Sequence, residues 1–133
     1  MMDKRLRIPL ICVLIWLAGA VLWNVAGVIL IAKTGTGIGP TASLTLAGIM
    51  GVVAVLLYLA ARFNRIGFAI LSALCALAAF AAVYQAFTGE ASLWSTPFWR
   101  WAGAALNLFG FGAGLWGLLG GIRSRRVATG AKT

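Results

Sequence analysis

The sequence predicts an all-α integral membrane protein, a four-helix antiparallel bundle in a single transmembrane domain covering residues 1–133, with both termini cytoplasmic. Three observations predict it. Of the 133 residues, 62% are hydrophobic and 10% charged, and the mean hydropathy is +1.01. That leaves too little polar surface to cover a water-soluble globule. Four apolar runs, at about 8–32, 42–61, 66–87 and 98–122, are each long enough to cross a hydrocarbon core of about 30 Å at about 1.5 Å per residue. The basic residues fall on one side of those runs. Lys4, Arg5, Arg7, Arg62, Arg65, Arg123, Arg125, Arg126 and Lys132 make nine on that side, against Lys33 and Arg100 on the other. The positive-inside bias then puts both termini and the turn between spans two and three in the cytoplasm, which three or five spans would contradict.

Met1 to Arg7 is a short basic head, and the run from Ile8 to Ala32 is interrupted only by Asn24. Although Ala18-Gly19-Ala20 resembles a signal-peptide cleavage site, the run continues apolar through Val21 to Ala32, as a retained anchor does. Lys33 to Pro40 is a loop whose glycines and terminal proline stop the first helix. No Gly-Lys-Ser/Thr follows those glycines, so a phosphate-cradling loop is excluded. On the second span, Ala47, Gly48, Gly51 and Ala54 form a face of small residues. Arg62-Phe63-Asn64-Arg65 is a turn of about four residues, short enough to force spans two and three into a hairpin.

Span three offers Ala69, Ala73, Ala76, Ala79 and Ala82 as a narrow surface, and its outer end carries Tyr84 and Gln85. A polar stretch with Glu90 leads to Thr96-Pro97, a cap and first-turn pair that opens the fourth helix. Trp94, Trp99 and Trp101 crowd this point and are expected to sit as an anchoring belt at headgroup level. Beyond Ile122, residues 123–133 are expected to form a disordered basic tail able to meet anionic lipid headgroups.

The fourth span holds the feature around which the rest must pack. Arg100, Gly103, Asn107, Gly110, Gly114, Gly117 and Gly121 recur at alternating spacings of three and four, which on a helix is one continuous stripe. Glycine there lets a neighbouring backbone approach closely, so Gly103, Asn107, Gly110, Gly114, Gly117 and Gly121 are read as the packing seam of the bundle. Gly112, Gly120, Gly19 and Gly27 lie off that stripe and leave a second surface for a partner.

Depth along each span makes the embedded polarity lopsided. Asn24 and Asn107 lie roughly 6 and 5 Å outside the midplane, with Thr45, Tyr84 and Gln85 further out and Arg100 at the rim. Together Asn24, Thr45, Tyr84, Gln85, Arg100 and Asn107 form a candidate outward-facing polar pocket. In it Arg100 holds an anion or a lipid phosphate, with Glu90 the nearby acid. The alternative is that Arg100 snorkels to the outer headgroups while Asn24 and Asn107 bond each other or backbone carbonyls as packing glue.

Catalytic chemistry lacks its usual parts. The chain has no histidine, its only acids are Asp3 and Glu90, and Cys12 and Cys75 are neither paired in sequence nor placed at one depth. No cofactor, metal site or disulfide framework is expected. The net charge of +9 reflects topology, so no nucleic acid is expected as a partner. In size, span count and heptad-spaced glycines on the last helix, the chain resembles the small multidrug resistance transporters. Its first span offers Asn24 and no glutamate, so that family's mechanism does not carry over. The expected partners are membrane lipids and either other membrane subunits or a second copy of the chain, in a bacterial cytoplasmic membrane. The expected role is association without catalysis. The alternative is a small channel, carrier or lipid-binding protein using the outward pocket.

Overall fold

The computed structural model describes residues 2–130, with side chains as far as Ser124. It contains four helices, α1 (Lys4–Thr34), α2 (Leu44–Phe63), α3 (Arg65–Thr88) and α4 (Pro97–Gly130), and a single 3-10 turn at Ala91–Leu93. All four are long and apolar enough to cross a membrane. They pack in a ring in chain order, α4 closing back onto α1, and the closest pairing is α3 with α4.

Helix ends depart from the apolar runs for local reasons. Asp3 caps α1, its Oδ1 accepting from the Arg5 backbone N–H at 3.0 Å, so the helix begins within the basic head and runs through Pro9. Gly35, at φ 74°, ends it in the left-handed conformation, and its N–H bonds to the Ile31 carbonyl at 2.8 Å. The turn of about four residues expected between spans two and three shrinks to one. Asn64 both terminates α2 and caps α3, its Oδ1 accepting from Gly67 N at 2.9 Å. Past Ile122, the segment expected as a disordered tail continues α4 to Gly130, while Lys132 lies outside the described residues.

The core is built from the inward face of α1, where Leu6, Leu10, Val13, Trp16 and Leu17 follow helical spacing. They meet Leu57 of α2, Phe68 of α3 and Ala113 of α4. Since lipid tails are as apolar as leucine, what holds these helices together is close packing more than exclusion from water.

Close packing is where the α4 glycines act. A Cβ added at Gly114 would lie 2.7 Å from the Ser72 carbonyl oxygen and 2.8 Å from Ala76 Cβ, and one at Gly121 would lie 2.7 Å from Ala69 Cβ. At Gly117 it would strike the Ser72 hydroxyl, and at Gly110 the Trp16 indole. The stripe therefore serves two partners, α1 at Gly110 and α3 from Gly114 to Gly121. Off the stripe, Gly19 admits Leu106 and Gly27 admits Ala42, while Gly48, Gly51 and Gly112 have nothing within 4 Å. Of the small face expected on α2, Ala47 is buried and the two glycines point outward.

One end of the ring is tied by a charged group. Arg65 donates through Nη1 to the Ser124 carbonyl at 2.9 Å and places Nη2 3.8 Å from Asp3 Oδ2. The starts of α1 and α3 and the far part of α4 thus meet at the same end. The Asp3 carboxyl is held below the usual carboxylate range, first by the hydrogen bond from the Arg5 backbone and also by the Arg65 charge, against some burial.

Candidate functional site

At the opposite end the helices part and leave a cavity of about 90 Å³. Asn24, Gln85 and Asn107 line it, together with Trp23, Trp94 and Thr41. Three of the six residues expected to make a pocket are thus brought together. Thr45 and Tyr84 are exposed and do not line the cavity, and neither does Arg100.

Each amide is fixed by local bonds. Asn24 is 4% exposed; its Nδ2 donates to the Ala20 carbonyl at 2.9 Å and its Oδ1 accepts from Ser43 N at 3.1 Å. Because Ser43 caps α2 through its hydroxyl, Asn24 ties the upper part of α1 to the first turn of the next helix. Asn107 donates to the Gly103 carbonyl at 2.9 Å and accepts from Trp16 Nε1 at 3.3 Å. The two amides line one space without bonding each other. Each primary amide has two N–H bonds and uses one of them here, so both retain a spare donor.

Arg100 does something the sequence did not suggest. Its Nε donates to the Ala86 carbonyl at 2.6 Å and its Nη2 to Phe87 at 3.4 Å, with the guanidinium 5.4 Å from the Phe87 ring centre. These carbonyls belong to the last turn of α3, which has no helical donors of its own. A cation there also complements the negative end of the helix dipole. Glu90, expected as its acidic partner, accepts instead from Ser92 Oγ at 3.3 Å. The signal was the short connection between α3 and α4, which returns the first turn of α4 to the end of α3. Composition alone carries no trace of it.

Trp94 was expected first as part of an interfacial belt and second as a stacking surface for a ligand. It packs instead into the mouth of the cavity, against Gly39 of the first loop and Gly103 of α4, where added Cβ atoms would stand 2.8 and 3.3 Å from its ring. Trp99 meets Trp23 edge-on with ring centres 5.7 Å apart, while Trp101 remains largely exposed beside Phe87. Toward the opposite end, Trp16, which bonds Asn107, and Leu17 are buried, with Val13 and Leu6 beyond them. The arrangement is an uncharged chamber that offers amide donors. It has room for several waters or one small solute.

Near Leu46 and Met50 this chamber adjoins a second space of about 230 Å³, an almost wholly apolar groove opening between α2 and α3. Comparison of the chain with known protein families, with curated proteins and with solved structures finds no match.

Proposed function

We propose that the protein is a small polytopic membrane protein of a bacterial cytoplasmic membrane, with both termini in the cytoplasm, that lacks catalytic machinery. It acts through helix association, as a homo-oligomer or as an accessory subunit of a membrane complex. The observation that carries this reading is the division of the glycines. Those of the α4 seam are used inside the bundle, whereas Gly48, Gly51 and Gly112 face open space. A glycine turned to lipid forfeits side-chain contacts and costs about 0.5–1 kcal/mol of helix propensity relative to alanine. Against a second helix the same residue permits backbone approach. Gly48 and Gly51 also lie on the helix with the fewest buried positions, Ala47, Leu57 and Ala61, so most of α2 is available to a neighbour. The same-end grouping of Asp3, Arg65 and Ser124 supports the topology, given the nine-to-two distribution of Lys and Arg.

Its test is the double substitution Gly48→Leu and Gly51→Leu. Both positions have room for a side chain, so the monomer should keep its stability while oligomer, or retained subunit, is lost in native mass spectrometry. A wild-type chain that is monomeric in lipid nanodiscs and carries no partner would remove the reading. A second reading, binding of a small uncharged molecule in the outer chamber, is favoured by the spare amide donors of Asn24 and Asn107. The fully buried side chains of Leu6, Val13, Leu57 and Phe68 farther along the bundle argue against conduction through it.

A further inference from the structure

The end of the bundle that carries Asp3 is crowded with cations, among them Arg5, Arg7, Arg62, Arg65 and Arg123, and they are not equivalent. Arg65 is engaged by Asp3 and the Ser124 carbonyl. Arg62 donates to the Tyr58 hydroxyl at 3.2 Å and lies 5.8 and 5.6 Å from the ring centres of Tyr58 and Phe63. Arg5 and Arg123 are exposed, and among the described residues neither makes an ion pair. They come from opposite termini of the fold and line one open cleft of about 370 Å³ between α1 and α4, together with Trp116 and Gly120.

Gly120 keeps that cleft open. A Cβ there would stand 3.5 Å from Leu6 Cδ2 and 3.7 Å from Pro9 Cγ, so any longer side chain occupies the space between the two helices. Pro9 contributes a further polar group. Having no N–H, it leaves the carbonyl of Arg5, four residues earlier, without its usual helical donor. That oxygen lies 3.8 Å from the same Cβ position, across from Gly120.

We infer that this cleft binds the phosphodiester head of an anionic glycerophospholipid. Two guanidinium groups present planar forks of donors that match phosphate oxygens in geometry and charge. Counting 1.5 Å per residue from the middle of each span, Arg5 and Arg123 sit about 20 Å from the midplane, just beyond a half-core of about 15 Å, at the level of lipid phosphates. Trp116, about 10 Å nearer the centre along α4, gives the glycerol and the first methylenes an apolar wall that free phosphate has no use for. Head-group hydroxyls complete the fit by donating to the Arg5 carbonyl. Neither acidic side chain fills the cleft, because Asp3 is engaged by Arg65 and the Arg5 backbone, and Glu90 lies at the other end.

The test is native mass spectrometry of the purified full-length chain with dioleoyl phosphatidylglycerol, dioleoyl phosphatidylcholine and inorganic phosphate as probes. The expected result is one retained phosphatidylglycerol per chain, weakened about five-fold by R5Q or R123Q and about thirty-fold by both together. The G120L variant keeps both charges and fills the cleft, and should weaken retention about tenfold. The R7Q/R62Q pair removes two charges at the same end outside the cleft, and should change it less than two-fold. Equal losses in R5Q/R123Q and R7Q/R62Q would reduce the site to a diffuse field and overturn the inference. So would equal retention of phosphatidylcholine, displacement of the lipid by equimolar inorganic phosphate, or full retention by G120L. If circular dichroism shows that R5Q/R123Q does not fold, G120L decides by the same ratio of the two lipids.

Discussion

Gly114→Ala and Gly112→Ala are the same chemical change two residues apart on one helix, and the packing gives them opposite consequences. At Gly114 the new methyl would stand 2.7 Å from the Ser72 oxygen and 2.8 Å from both Ala76 N and Ala76 Cβ. Ordinary contact between non-bonded carbons is about 3.5–4.0 Å, so α3 must retreat by roughly 1 Å. Two of the three obstructing atoms are backbone and the third is the Cβ of an alanine, so no rotamer change relieves the clash. Overpacking of this kind costs about 1–3 kcal/mol. At Gly112 nothing lies within 4 Å, and the alanine adds only its helix propensity, about 0.5–1 kcal/mol in favour of folding. That gain is common to both sites, so the difference between the variants isolates the clash. It should be about 1–3 kcal/mol, or five-fold to 150-fold in the folding equilibrium. Unfolding by dodecyl sulfate in mixed micelles, at dilution that keeps the chain monomeric, measures it directly. A Gly114→Ala variant as stable as Gly112→Ala would refute the account of the seam.

Two further outcomes follow from the polar contacts. Arg100→Gln should destabilise the fold by about 1.5–3 kcal/mol, the range for a hydrogen bond made by a charged group, because the Ala86 and Phe87 carbonyls lose their donor. If its unfolding matches wild type, the closing role of Arg100 at the end of α3 is wrong. Asp3 has a folded-state pKa below its ordinary 3.8, so its ionised form adds stability that is fully present above that value and lost as pH falls through the folded value. Asp3→Asn should therefore lower the thermal midpoint at pH 7, and the gap to wild type should close in strong acid. A gap unchanged at pH 2 would contradict the sign.

How much of this was legible depended on whether a feature is carried by periodicity or by a meeting of distant residues. The four spans and the α4 stripe are periodic, and the stripe's small residues are the ones buried against α1 and α3. Thr96-Pro97 marked the start of α4 because a proline fits a helix's first turn and little else. The start of α1 was less legible: the apolar run begins at Ile8, yet the Asp3 cap starts the helix at Lys4. Depth places Asn24 and Asn107 at nearly one level. Each donates to the carbonyl one turn back on its own helix, one of the two bonding patterns the sequence allowed, while each oxygen accepts from a different neighbouring element, so the two do not meet. Arg100 was legible as an embedded charge but not as a partner for α3, because the carbonyls it serves have no sequence identity. Arg5 and Arg123 are 118 positions apart. Only the closure of α4 onto α1 brings them to one cleft.

The central claim is that four spans fold into one ring whose basic end gathers the start of α1, the α2–α3 turn and the end of α4. Single cysteines replacing Arg62, Arg123 and Thr36, in a chain with Cys12 and Cys75 changed to alanine, test it with a membrane-impermeant maleimide in right-side-out and inverted vesicles. The account predicts that positions 62 and 123 are modified from one side and position 36 from the other. Modification of 62 and 123 from opposite sides of the bilayer would contradict it.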